Sequence, residues 1–159
     1  MTGGWFGLLN ALLLAACSSQ ANLYMIERNG GWCRASSDQF QNPNAANVGT
    51  TSAELHRSHR GPMMLTVWSD SEAGDWTIRD EYEISDYRVI AVRRRVIVVE
   101  PELSLQTDYI VRDDRMIEVG TNGDAAVADF VDLVEFPLMD LEEAIGLMSV
   151  KAVCSEIPV

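Results

Sequence analysis

Trp76-Thr77-Ile78-Arg79-Asp80-Glu81-Tyr82-Glu83-Ile84 is the stretch on which the fold turns. Trp76, Ile78, Tyr82 and Ile84 fall on one phase of a two-residue period, and Thr77, Arg79, Glu81 and Glu83 on the other. Successive side chains of a strand point to opposite faces, so this pattern describes an antiparallel strand with one face buried and the other in water. Ser85-Asp86 supplies a turn, and Tyr87 to Glu100 is a second, longer and more β-branched run. A hairpin about that turn places Glu83 opposite Arg88 as a cross-strand ion pair. Pro101 ends the run, because proline cannot donate to a ladder.

The same texture continues on both sides. Upstream, Met63 to Trp68 reads as a strand, joined to Trp76 by an acidic turn from Ser69 to Asp75. Downstream, Leu103 to Val111 alternates again, and Asp113-Asp114 turns the chain into Arg115 to Val119. Asn122-Gly123 predicts a type I′ hairpin turn, whose two central positions both need φ > 0. Ala126 to Phe136 is then the final long strand. One helix follows. Asp140 is its N-cap, Glu143 completes a capping-box-like pair, and Leu141, Ala144, Ile145 and Met148 form one apolar face. Trp32, Trp68 and Trp76 are assigned to the core. The expected fold is mainly β: a single antiparallel β-sandwich or barrel-like domain with one C-terminal helix.

Residues 18–61 carry no sustained period, apart from a short first strand at Leu23-Tyr24-Met25-Ile26. Ahead of them stands Leu14-Ala15-Ala16-Cys17-Ser18-Ser19, preceded by an apolar run from Trp5 to Ala16. The run has the length of a signal-peptide h-region and falls short of the roughly 20 residues that span a bilayer. Small residues directly before a cysteine resemble the lipobox of bacterial lipoproteins. That resemblance implies a signal peptide over 1–16 and a mature chain beginning at Cys17, which carries the lipid. It also implies a diacylglycerol and a further acyl chain such as palmitate, and two or more chains anchor stably where one does not. Ser18 after the cysteine fits an outer-membrane destination in enteric-type bacteria. An ordinary cleaved secretory signal and a buried N-terminal helix are the alternatives. The domain organisation that follows is a signal peptide over 1–16, a tether over 17–30 and a β-rich domain over 31–159.

Cys33 and Cys154 remain once Cys17 is lipidated. In an oxidising periplasm an even pair near the two ends of a domain reads as a disulfide. A metal pair or a catalytic thiol is the other reading, and neither cysteine has a histidine nearby in sequence. The net charge of −12 argues against nucleic acid or anionic lipid as an electrostatic partner, and favours a cationic one.

Few residues suggest chemistry. His56 and His59 are the only histidines; their spacing would suit a metal ion on a helix, but solvated loop positions suit their polar surroundings better. Asp70-Ser71-Glu72-Ala73-Gly74-Asp75 lacks the alternating ligands of a calcium loop and reads as an exposed turn. Asp124, Asp129 and Asp132 form a second weak acidic cluster, with Asp129 facing away from Asp132. In Arg93-Arg94-Arg95, Arg93 and Arg95 share one face of a strand and Arg94 takes the other. Pairing with acidic neighbours such as Glu81, a bend between shorter strands, or a site for an anionic or acidic partner all fit that run. There is no phosphate-binding glycine loop and no nucleophile elbow, and no cofactor is implied.

Trp32-Cys33, a meander of strands, then Phe136-Pro137-Leu138 leading into Leu141 to Val150 and Cys154, resemble the small secreted β-domains related to invasion-associated locus B proteins. The resemblance spans about residues 31–155 and implies interaction in the envelope without assigned catalytic residues. The expected function is that of a lipid-anchored cell-envelope lipoprotein with a binding or structural role. Its partners are the membrane, through Cys17, and another envelope protein, rather than nucleic acid. An inhibitor of a basic envelope-attacking protein such as lysozyme is the first alternative, and a small periplasmic hydrolase the second.

Overall fold

The computed structural model describes residues 22–28, 30–41, 51–58, 61–71, 73–99, 101–127 and 140–154. Eight strands form one antiparallel sheet: β1 (Leu23–Arg28), β2 (Gly31–Ala35), β3 (Thr51–His56), β4 (Met63–Asp70), β5 (Trp76–Ser85), β6 (Arg88–Val98), β7 (Leu103–Arg112) and β8 (Arg115–Gly123). Their order is β2-β1-β3-β4-β5-β6-β7-β8, so everything after the first hairpin is a simple meander. Among the described residues, α1 (Ser37–Gln41) and α2 (Leu141–Leu147) accompany the sheet. No helix among the described residues is long and apolar enough to cross a membrane.

Alternation in β5 is as the sequence predicts: Ile78, Tyr82 and Ile84 are buried, and their neighbours lie on the outer face. The buried face of the sheet carries the main core. Met25 of β1, Leu55 of β3, Leu65 of β4, Tyr82 of β5 and Val92 of β6 belong to one apolar cluster, closed by Ala144 and Leu147 of α2. A second cluster, Ile78, Val96, Val98 and Val127, fills the other end of the inner face. Asp140 starts α2 by accepting a hydrogen bond from the Glu143 backbone N–H at 2.6 Å. Loss of such a cap costs about 1 kcal/mol, so Asp140→Ala should lower the chemical-denaturation stability by that amount without changing the sheet signal in circular dichroism.

Several expectations need correction. The tether assigned to 17–30 includes β1, which is an interior strand bonded to β2 on one side and β3 on the other. Met25 and Ile26 point to opposite faces and both are wholly buried, so the domain begins well before residue 31. The run without period also hides α1 and β3. Ser36 and Gln39 cap α1 reciprocally: the Gln39 N–H donates to Ser36 Oγ at 3.2 Å, and the Ser36 N–H to Gln39 Oε1 at 2.8 Å. Trp32 and Trp76 pack against the core clusters, but Trp68 lies on the outer face in an aromatic stack with Phe40 and Tyr24.

The turns are also redistributed. Asp86 and Tyr87, at φ 50° and 59°, turn β5 into β6, so Arg88 faces Ser85, and Glu83 faces Ala91 across a bulge. Asp113 and Asp114, at φ 51° and 57°, turn β7 into β8 where the sequence predicts a turn. Asn122-Gly123 is not a turn: both residues pair with β7, opposite Gln106 and Leu105. Gly123 is required there for a different reason, since a Cβ would lie 2.2 Å from the Ser104 carbonyl oxygen. Of the strand expected over Ala126 to Phe136, residues 125–127 are helical and the remainder lies outside the described residues.

Candidate functional site

Cys33 and Cys154 meet as a disulfide pair, with Cα atoms 4.9 Å apart. Both are buried against Ile26 on the outer face of β1 and β2. The chain leading to Cys154 runs parallel to β2, where the Arg34 N–H donates to the Ala152 carbonyl at 2.7 Å. This segment covers backbone groups that an edge strand would leave free. Cys17 lies outside the described residues, as do residues 1–16 and Phe136-Pro137-Leu138.

The three arginines of β6 have different surroundings. Arg94 projects into the core, where its Nε and Nη2 each donate to a carboxylate oxygen of Asp80 at 2.7 Å. Burial works against the guanidinium charge, but the hydrogen bond and charge of Asp80 outweigh it and hold the Arg94 pKa above its ordinary value. Burial, reinforced by Asp80, pushes the neighbouring Tyr82 phenol up as well. Asp80, Arg94, Thr107 and Thr121 are successive cross-strand neighbours, a polar row on β5 to β8 between the two apolar clusters. The sequence offers one signal for it: Asp80 and Arg94 occupy the apolar phase of their strands.

On the outer face, Arg93 is held by Asp108 at 2.8 Å and approaches Glu81 at 3.8 Å. This is the ion-paired reading of the run. The hydrogen bond from Arg93 holds the Asp108 carboxyl below the usual carboxylate range. The pair's contribution to stability is therefore present above that range and is lost as pH falls through the depressed value. Arg95 differs, because its polar partner is the neutral Gln106 side-chain oxygen at 3.2 Å.

Among the described residues, His56 has an amide rather than a carboxylate beside its ring. His56 ends β3, exposed, with its Nδ1 3.0 Å from Asn22 Oδ1; His59 lies outside the described residues. The acidic turn is internally bonded: Thr77 donates to Asp70 at 2.7 Å and the Ser71 hydroxyl donates to Asp75. Asp124 accepts from the Ser104 N–H at 3.0 Å, while Asp129 and Asp132 lie outside the described residues. No group of three or more His, Cys, Asp or Glu that could hold a metal ion occurs among the described residues.

One concavity brings together residues that no sequence motif links. A groove of about 1050 Å³ opens between the β5–β6 turn, the β7–β8 turn and the start of α2. Val89, Val111, Met116, Leu141 and Ile145 give it an apolar lining that packs on the main core. Asp113, Asp114, Asp140 and Glu142 supply carboxylates, against the single arginine Arg88. Tyr87 stands beside it, 75% exposed despite its size and its φ of 59°. A bulky residue at positive φ is strained, and such strain clusters at binding sites. Compared with known proteins, the chain matches no family model, no curated protein and no solved structure.

Proposed function

We propose that this chain is a lipid-anchored cell-envelope protein with a binding role, and that the groove beside α2 is its binding surface. The observation that carries the binding role is the groove itself: an apolar floor with four carboxylates around it, on a chain of net charge −12. Concave apolar surfaces with a few polar groups are the usual form of a ligand site, and charge complementarity selects the partner and speeds encounter. The occupant that fits is a cationic segment with apolar side chains between its basic residues. This favours inhibition of a basic envelope-attacking protein such as lysozyme as the specific role. The anchor rests on the sequence ahead of Cys17, whose acylation keeps the protein at the outer membrane.

Two measurements test the proposal on the full chain expressed in a bacterial envelope. Intact mass should show acyl chains on a mature N-terminus at Cys17; a different N-terminus, or Cys17 without acyl mass, refutes the anchor. Asp113→Asn/Asp114→Asn removes two rim charges while keeping a residue type that tolerates positive φ. This variant should bind a basic lysozyme at least tenfold more weakly than the parent, with the difference shrinking at high salt. Equal affinity of variant and parent, or no affinity in either, overturns the groove as the site for such a partner.

A further inference from the structure

One row on the outer face of the sheet gathers positive charge on an acidic chain. Trp68 of β4, Arg79 of β5, Arg95 of β6, Gln106 of β7 and Asn122 of β8 are successive cross-strand neighbours. The row contains no carboxylate. Arg79 and Arg95 stand directly opposite each other, and like charges so placed are destabilising.

The adjacent side chains leave the positive charge only partly offset. Arg79 contacts Glu81 at 2.6 Å, and its guanidinium carbon lies 5.8 Å from the centre of the Trp68 ring. Its Nε is shielded from water and has no hydrogen-bond partner. Arg93 is occupied by Asp108 and Glu81. Arg95 has no carboxylate partner among the described residues, only the Gln106 oxygen. These side chains surround a depression of about 190 Å³, lined by Arg79, Glu81, Arg93, Arg95 and Gln106. Three guanidinium groups and the one lining carboxylate therefore leave it locally cationic, with Asp108 just outside.

We propose that Arg79 and Arg95 form a binding seat for a tetrahedral oxoanion of the phosphate class. An anion between them converts a repulsive cross-strand pair into two charge-assisted contacts, and guanidinium groups match phosphate oxygens in geometry. Arg93, fixed by its carboxylates, sets the wall of the depression, and Gln106 orients Arg95. The site is on the opposite face of the sheet from the core and separate from the groove beside α2, so it stands or falls independently of the function proposed above.

The test is a calorimetric titration of the detergent-solubilised full chain at fixed ionic strength, with inorganic phosphate and, separately, with glycerophosphoglycerol, the soluble phosphodiester headgroup. Saturable binding of either, weakened at least tenfold in Arg95→Gln and unchanged in Arg112→Gln, supports the seat. Phosphate alone indicates a free anion, and the headgroup alone or in addition indicates a phospholipid source. Thermal unfolding without ligand keeps a folding defect distinct, since Arg95→Gln relieves like-charge repulsion and should leave the midpoint equal or higher. No saturable binding of either probe, or binding that Arg95→Gln leaves unchanged, overturns the proposal; so does an Arg95→Gln variant that loses stability without losing binding.

Discussion

Arg94→Met should lower the unfolding free energy by about 3–5 kcal/mol, the usual cost of removing one partner from a buried ion pair. Asp80 and Arg94 are 5% and 7% exposed, and the two hydrogen bonds between them satisfy both carboxylate oxygens. Without the guanidinium, a carboxylate remains in the wall of an apolar core with no counter-charge. Asp80→Leu is expected to be comparably damaging, because it strands the guanidinium instead. The double variant Asp80→Leu/Arg94→Met should recover most of the loss, since well-packed apolar residues often replace a buried pair without penalty. It would also join the cluster around Tyr82 to the cluster around Ile78, which the polar row now separates. Urea denaturation followed by tryptophan fluorescence measures all three variants. Single variants costing less than about 1 kcal/mol would show that water or another group reaches the pair, contrary to its burial.

Removing the disulfide should be the other large effect. Cys33→Ala/Cys154→Ala is expected to cost about 2–5 kcal/mol, because the bond closes a loop of 121 residues and restricts the unfolded chain. The folded state loses more than a constraint. Cys154 anchors the segment that runs beside β2, so its release should uncover the backbone groups of that strand. Two readouts separate these contributions. The denaturation midpoint reports the total, and hydrogen exchange at the Arg34 amide, now bonded to Ala152 at 2.7 Å, reports the local opening. An unchanged midpoint in oxidising buffer, or a reduced parent as stable as the oxidised one, would contradict the expected linkage.

The differences between sequence and structure follow physical scale. The alternation Ile78, Tyr82, Ile84 and the Asp140 cap depend on residues within a few positions of one another, and both are as the sequence predicts. Asn122-Gly123 has the chemistry of a hairpin turn, yet the Asp113-Asp114 turn fixes where β8 begins, and pairing then carries β8 through Gly123. The capping pair Ser36 and Gln39 is a local signal, but the polar segment around it carries no apolar period to mark a helix. The groove beside α2 was not legible at all, since it joins two turns and a helix start that are distant in sequence.

By itself, the sequence determined that this is an antiparallel β protein with a capped C-terminal helix and two cysteines suited to pairing. Periodicity, capping and turn chemistry act through neighbouring residues, and one chain segment suffices to express them. Only the tertiary structure decided the fate of the charges in Arg93-Arg94-Arg95. Register places Asp80 beside Arg94 inside, Asp108 beside Arg93 outside, and Arg79 opposite Arg95. A charge enters a core only where an adjacent strand brings its counter-charge to the same level, and that alignment is a property of the assembled sheet.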